Sequence, residues 1–233
     1  MTSYKDKINQ VGIQAKEASK SLAKVSTNQK NVALLAMADH ILNDKELILD
    51  ANKIDIERAK AKGLSESFID RLELNDERID SIAATMREIE SLKDPVGKIL
   101  DSWTRPNGLQ ISRISTPLGT IGVIYESRPN VTADAGALCL KSGNASILRG
   151  GSDSINSCIA IHNSMLKGLN DADITEHAIQ IIEDTNREAV NMMLQGINKS
   201  IDVIVPRGGK NLVTQIEKEA KVPVFAHLEG ICH

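Results

Sequence analysis

Two Arg-Gly-Gly sequences are the parts of this chain best suited to binding an anion. The first begins at Arg149 and is followed by Ser152, and the second begins at Arg207. Glycines let backbone N–H groups approach a phosphate closely, arginine supplies a permanent planar charge, and a serine hydroxyl can donate a hydrogen bond. The residues concerned are Arg149, Gly150, Gly151, Ser152, Arg207, Gly208 and Gly209.

Each Arg-Gly-Gly sequence has a structural interpretation as well as a functional one. A glycine turn that closes a strand-to-helix connection, with an arginine on the surface beside it, has the same sequence pattern. Two such turns at strand ends favour a nucleotide-binding site. No Gly-x-Gly-x-x-Gly fingerprint follows a strand and no P-loop lysine motif occurs, so a dinucleotide would bind in a different manner.

A third segment, residues 125–130, could also take part in chemistry. Its proline and asparagine are typical of a turn that begins a helix, and Asn130 could be the helix N-cap. Alternatively, the Asn130 side-chain amide could be a fixed hydrogen-bond donor beside a reacting carbonyl oxygen. These residues alone leave both interpretations open.

The elements that would position these residues alternate between strand and helix after the turn sequence Pro106-Asn107-Gly108. The predicted strands are residues 109–115, 120–125, 145–148, 178–182, 201–205 and 222–226. The predicted helices of this part are residues 133–141, 154–169, 188–194 and 212–220. The alternation predicts an α/β fold in which helices flank a parallel sheet. Ligands of such folds bind beyond the carboxyl ends of the strands, where both Arg-Gly-Gly sequences lie.

The first hundred residues have helical patterns instead. Ser26 or Thr27 is a candidate N-cap, and apolar residues recur at helical spacing over residues 79–92. Residues 45–62 are highly charged with few apolar positions, which predicts a solvent-exposed helix. The chain is therefore expected to divide into a helical portion, residues 1–105, and an α/β domain, residues 106–233.

Composition excludes several classes of function. The net charge is −3 and aromatic residues make up 2% of the chain, which argues against nucleic-acid binding. No apolar run is long enough to cross a bilayer, and residues 1–10 do not resemble a signal peptide, so a cytoplasmic location is expected. The three cysteines, Cys139, Cys158 and Cys232, have no disulfide or zinc-site spacing, and no metal site is expected.

Several motifs together resemble gamma-glutamyl phosphate reductases, a family of the aldehyde dehydrogenase superfamily. They are Ile-Tyr-Glu-Ser-Arg-Pro-Asn-Val-Thr at residues 124–132, Leu-Lys-Ser-Gly-Asn-Ala at 140–145, both Arg-Gly-Gly sequences, and Pro-Val-Phe-Ala-His-Leu-Glu-Gly-Ile-Cys-His at 223–233. The resemblance implies a Rossmann-like parallel sheet that binds NADPH or NADP. It also implies reduction of L-glutamyl 5-phosphate to L-glutamate 5-semialdehyde and phosphate, in proline biosynthesis.

The resemblance also implies roles for individual residues. Arg149 and its glycines would lie beside the adenosine ribose, where the arginine suits a 2′-phosphate. Ser127, Pro129 and Ser152 would be further cofactor contacts. Arg207, Gly208 and Gly209 would begin the helix under the pyrophosphate. Pro129 and Asn130 resemble a Pro-Trp-Asn segment whose asparagine supports an oxyanion, although the stretch that follows is about one helical turn shorter here. His227 occupies the place of a water-activating glutamate.

The family's covalent chemistry uses a cysteine thiolate. Cys139 and Cys158 are expected to be core residues, and Cys232, beside His233, is a weak candidate because adjacent strand residues point to opposite faces. The chain is therefore expected to be a truncated, cofactor-binding half that lacks the catalytic domain and is inactive alone. The alternative is a non-catalytic nucleotide-binding module. Part of an oligomerisation element near residue 105, a homo-oligomer, and functional contact with glutamate 5-kinase are further expectations from the resemblance.

Overall fold

The computed structural model describes residues 3–226. Its helices are α1 (Tyr4–Leu22), α2 (Thr27–Asn43), α3 (Lys45–Ala61), α4 (Glu66–Leu72), α5 (Asp76–Ser91), α6 (Asn130–Lys141), α7 (Ile155–Asp171), α8 (Arg187–Leu194) and α9 (Lys210–Glu219). Its strands are β1 (Ile99–Thr104), β2 (Gln110–Ile114), β3 (Thr120–Tyr125), β4 (Ala145–Arg149), β5 (Ile179–Ile181) and β6 (Val203–Arg207). Within residues 3–226, the helices are too short or too polar to cross a membrane.

Four strands form a parallel sheet in the order β5-β4-β3-β6, which confirms the predicted α/β fold. Every residue of β3, at the centre, is buried, because helices cover both faces of the sheet. Alternate side chains therefore enter two different cores. One face packs against α2, α5, α6 and α7, and the other against α1, α8 and α9.

The carboxyl ends of β3, β4 and β6 meet at one edge of the sheet. Ile124 of β3 is in register with Arg149 of β4, and Tyr125 is in register with Arg207 of β6. The parallel register thus places both Arg-Gly-Gly turns next to residues 125–130, as the α/β prediction requires.

Two strand predictions need correction. Residues 222–226 are not a strand, because only Val224 bridges to Ile204, and Pro223 has no N–H to donate to a ladder. The strand predicted at residues 109–115 exists as β2, but it pairs antiparallel with β1, which the sequence pattern did not predict. The two strands form a separate hairpin outside the parallel sheet.

The helix predicted over residues 45–62 exists as α3, and its outer face is solvent-exposed, but one face of it is buried. Helix α3 packs against α7, and its buried residues include the polar side chains of Asn52 and Asp55. The Asn52 amide donates to the Leu72 carbonyl, 2.9 Å away, and Asp55 binds the start of α7. Because hydrogen bonds satisfy these polar groups, a helix with few apolar residues can still bury one face.

The helix predicted over residues 79–92 is confirmed as α5, whose inward face consists of Ile79, Ile82, Ala83, Met86 and Ile89. Ser26 caps α2 by accepting a hydrogen bond from the Gln29 N–H, at 3.2 Å. A single hydrophobic core contains residues of both α2 and α5 together with residues of β3 and β4. The N-terminal helices therefore help to hold the sheet that carries the candidate site.

Candidate functional site

The turn after β4 packs closely on the end of β3. A Cβ atom at Gly151 would lie 2.8 Å from the backbone nitrogen of Ser127, and one at Gly150 would lie 3.0 Å from the Tyr125 ring. Both distances are too short for a side chain without movement of the neighbours. This packing alone requires glycine at both positions of the turn. The buried Ser127, which the turn contacts, lines the cleft described below.

Arg149 is held in place by backbone carbonyl groups at the end of β4. Its Nη1 donates to the Gly150 oxygen at 2.6 Å, and its Nη2 donates to the Thr185 oxygen at 3.0 Å. Burial lowers the pKa of the Arg149 guanidinium, while the nearby Asp184 carboxylate acts in the opposite direction. An arginine remains protonated under such shifts, so the turn keeps its positive charge.

A cleft of about 470 Å³ opens between α8 and α9, and we call it the α8–α9 cleft. It contains four of the predicted cofactor residues, namely Ser127, Arg149, Gly151 and Ser152. Arg187, Val190 and Leu212 line it too, and the sequence pattern did not predict them. Two apolar side chains from facing helices, together with two arginines in the same cleft, are suited to an aromatic ring linked to an anionic group.

The second turn, after β6, already binds an anionic side chain. The Gly209 N–H donates to Oε1 of Glu126 at 2.7 Å. Helix α9 begins at the next residue, Lys210, so the Glu126 carboxylate lies at the positive end of that helix. The backbone of this turn is therefore shown to hold a carboxylate in the way that such turns hold phosphate oxygens.

A second cleft, of about 350 Å³, lies beside α6 and is called the α6 cleft. Arg207, Gly208 and Gly209 line it together with Asn130 and Asp134. Glu126 lines both this cleft and the α8–α9 cleft, so the two meet at its side chain.

Asn130 is not the N-cap of α6, contrary to the structural interpretation of its sequence. Pro129 occupies the cap position, and Asn130 is the first helical residue. The Asn130 Nδ2 donates to Oδ2 of Asp134 at 3.0 Å, one helical turn later. Burial raises the pKa of the Asp134 carboxyl, although the Asn130 amide and the Arg207 charge act in the opposite direction. One N–H of the Asn130 amide is thereby fixed, and the other is available in the α6 cleft.

The two arginines of the turns lie on opposite faces of the sheet. Arg149 lines the cleft next to Val190 and Leu212, which belong to the core under α8 and α9. Arg207 lines the α6 cleft and lies close enough to Asp134 to affect its pKa. The turns therefore contribute to two connected clefts, and a ligand that contacts both must cross the sheet edge at Glu126.

The two cysteines of the described chain are core residues, as predicted. Burial raises the pKa of the Cys139 thiol to about 12, and burial also raises the pKa of Cys158. Neither thiol is a nucleophile in this setting, because the thiolate is the reactive form. Cys232 and the predictions made for His227, the Leu-Glu-Gly sequence and His233 lie outside the described residues.

Alkylation should distinguish the buried thiols from accessible ones. We expect Cys139 and Cys158 to resist iodoacetamide in the folded chain at about pH 8, and to react fully in guanidinium chloride. Mass-spectrometric mapping of the modified peptides measures each cysteine separately. Rapid modification of either residue in the folded chain would contradict the packing described here.

Comparisons with known proteins give the same fold and a consistent set of relatives. No protein-family model matches the chain. Gamma-glutamyl phosphate reductase from Allorhizobium ampelinum is 60% identical over 223 residues, which cover 96% of this chain and 52% of that protein. The Brucella suis enzyme of the same name is 58% identical over 224 residues, covering 96% and 53%. The chain thus spans about half the length of the curated relatives it matches.

Solved structures agree with these sequence comparisons. The gamma-glutamyl phosphate reductase of Thermotoga maritima superposes with a TM-score of 0.92 at 41% identity, covering 94% of this chain and 53% of that one. The Saccharomyces cerevisiae enzyme gives a TM-score of 0.85 at 31% identity, covering 100% and 58%. A probable aldehyde dehydrogenase from Listeria monocytogenes shares the fold alone, with a TM-score of 0.71 at 13% identity over 95% of this chain and 45% of that one.

The fold of the chain is aldehyde dehydrogenase-like. Within that class, the chain is a homologue of the N-terminal portion of gamma-glutamyl phosphate reductases.

Proposed function

We propose that the chain binds NADPH across the carboxyl edge of its sheet. We further propose that it supplies the cofactor site for reduction of L-glutamyl 5-phosphate to L-glutamate 5-semialdehyde and phosphate, in L-proline biosynthesis. The observation that carries the proposal is the pair of clefts that meet at Glu126, each beside an Arg-Gly-Gly turn. The names of the curated relatives support the substrate.

The residues present fit such a dinucleotide. In this arrangement the adenine lies between Val190 and Leu212, with Ser152 and Arg149 towards its ribose. The pyrophosphate replaces the Glu126 carboxylate and accepts the hydrogen bond from the Gly209 N–H, at the start of α9. The nicotinamide end then enters the α6 cleft. When bound, the cofactor supplies the hydride for the reduction.

Asn130 is proposed to hold the carbonyl oxygen of the substrate. Its amide is oriented by Asp134, which leaves the second N–H available to a ligand in the α6 cleft. A donor fixed before the reaction stabilises a developing oxyanion without further reorganisation. The sulfur nucleophile of this chemistry attacks the acyl carbon and releases phosphate, and it must be a thiol other than Cys139 and Cys158.

Titration with NADPH, followed by the fluorescence of its nicotinamide ring, tests the binding step. Saturable binding that NADP⁺ displaces is expected, and no saturation would overturn the proposal. The reaction itself is tested in reverse with L-glutamate 5-semialdehyde, phosphate and NADP⁺. Phosphate-dependent formation of NADPH supports the reductase function. Binding without turnover fits both a cofactor-binding half that is inactive alone and the alternative, a non-catalytic nucleotide-binding module.

Replacement of Glu126 by glutamine should tighten NADPH binding. The Glu126 carboxylate accepts the hydrogen bond of the Gly209 N–H and would repel a pyrophosphate, whereas the amide of glutamine carries no charge. Removal of about 1 kcal/mol of repulsion predicts an affinity roughly 3- to 10-fold higher. The same titration measures it, with Glu217→Gln as the control, since Glu217 is exposed on α9, the helix whose first turn Glu126 contacts. Equal affinities for the two variants would contradict a direct role of Glu126.

The β1–β2 hairpin is proposed as part of an oligomerisation element. Its strands are almost entirely exposed although they carry large apolar side chains, namely Ile99, Leu100, Trp103 and Ile114. An apolar surface of this kind is typical of a protein interface. The occupant proposed is a second copy of this chain, and functional contact with glutamate 5-kinase remains a prediction from the resemblance.

A further inference from the structure

Two arginines line the α8–α9 cleft, and their surroundings differ. Arg149 is half-buried, and two backbone carbonyl groups accept hydrogen bonds from its guanidinium. Arg187, the first residue of α8, is exposed. Its guanidinium has no hydrogen-bond or ion-pair partner among residues 3–226. The donors of Arg187 are therefore available to a ligand, while two of the Arg149 donors are already used.

The backbone that carries Arg187 is held in one conformation. The Asn186 N–H donates to Oδ1 of Asp184 at 2.7 Å, and Oδ1 of Asn186 accepts from the Glu188 N–H at 3.0 Å as the cap of α8. The Thr185 carbonyl, between these residues, accepts from Arg149. Arg149 thus fixes the loop from which Arg187 extends.

The carboxylates near the cleft bind donors other than Arg187. Asp153 pairs with Lys62 at 2.6 Å, and Glu126 accepts from the Gly209 N–H. Glu188, next to Arg187 in sequence, pairs with Lys5 at 3.3 Å. Asp184 accepts from the Asn186 backbone. Within residues 3–226, none of these four carboxylates pairs with Arg187, so its guanidinium donors are open to a phosphate monoester.

We propose that Arg187 binds the 2′-phosphate of the cofactor and selects NADPH over NADH, while Arg149 is a positioning residue that holds the loop. This inference rests on the proposed function and refines it, because the sequence resemblance assigned the 2′-phosphate to Arg149. A guanidinium with free, forked donors at a cleft rim is the group suited to a phosphate monoester.

The test compares the binding of NADPH and NADH to the full chain and its Arg187→Gln variant. We expect the dissociation constant for NADPH to rise about 10- to 100-fold, because charge-assisted hydrogen bonds are lost, with the constant for NADH changed less than about 2-fold. Arg187→Lys should retain part of the discrimination, since lysine keeps the charge without the fork. Arg113→Gln, on the exposed hairpin, controls for net charge.

Arg149→Gln separates the two roles. If Arg149 positions the loop, this variant should weaken the binding of both nucleotides by similar factors. If Arg149 itself binds the 2′-phosphate, Arg149→Gln should weaken the binding of NADPH only. That result would overturn the inference. An unchanged NADPH-to-NADH ratio in Arg187→Gln would also overturn it. Failure of the unmodified chain to bind either nucleotide would instead overturn the proposed function, and the inference with it.

Discussion

Replacement of Gly168 by alanine is expected to lower the free energy of unfolding by about 2–3 kcal/mol. Gly168 of α7 faces the backbone of α2, and a Cβ atom there would lie 2.5 Å from the nitrogen and 2.8 Å from the Cα of Met37. A backbone cannot rotate away as a side chain can, so the two helices must separate. This cost exceeds the gain of about 1 kcal/mol from the better helix propensity of alanine.

Gly136→Ala provides a matched control in a different helix. The nearest atom to a Cβ at Gly136 is the terminal methyl of Met165, a flexible group that can move. We therefore expect Gly136→Ala to be nearly neutral, within about 1 kcal/mol. Chemical denaturation followed by circular dichroism gives both values. Equal stabilities of the two variants would show that α2 and α7 are not packed as closely as described.

Replacement of Asp55 by alanine is expected to lower the free energy of unfolding by about 3 kcal/mol. The Asp55 carboxylate is almost fully buried and accepts hydrogen bonds at 2.8 Å and 2.6 Å from the N–H and hydroxyl of Ser157, and at 2.6 Å from the Asn156 amide. Alanine would leave these donors buried without an acceptor, at the N-terminal turn of α7.

Asp39→Ala is the appropriate comparison for Asp55→Ala. Asp39 binds the guanidinium of Arg87 at 2.6 Å, but both side chains are exposed. An exposed pair of this kind contributes less than about 1 kcal/mol. Because α7 follows the turn at Gly150 and Gly151, the Asp55 variant should also weaken NADPH binding, whereas Asp39→Ala should not. A destabilisation of equal size in both variants would contradict the role of burial.

The parallel sheet and the positions of the glycine turns could be predicted from the sequence. The apolar runs of β3, β4 and β6 and the helical periodicity of α5 depend on local patterns, which the sequence contains directly. The hairpin strand β1 could not be recognised in this way. Its apolar residues are not buried, so they have neither the alternation of a half-buried strand nor the spacing of a helix.

The features of the site that depend on contacts between distant residues could not be predicted. Glu126 and Gly209 are far apart in sequence, and only the register of β3 and β6 brings the carboxylate to the turn. Arg187 follows a loop with no recognised motif. Its proposed role depends on the two carbonyl groups that accept hydrogen bonds from Arg149. The burial of Asp55 likewise depends on its donors in α7, which no pattern within α3 could indicate.

The exposed hairpin has a consequence for spectroscopy of this protein. Trp103, the single tryptophan of the sequence, lies on β1, outside both large hydrophobic cores. Its emission in an isolated chain should therefore be close to that of a solvated indole and change little when the cores melt. A shift of that emission to shorter wavelength with increasing concentration would instead report that another surface has covered the hairpin. Tryptophan fluorescence is thus a probe of association in this chain, and circular dichroism is the probe of folding.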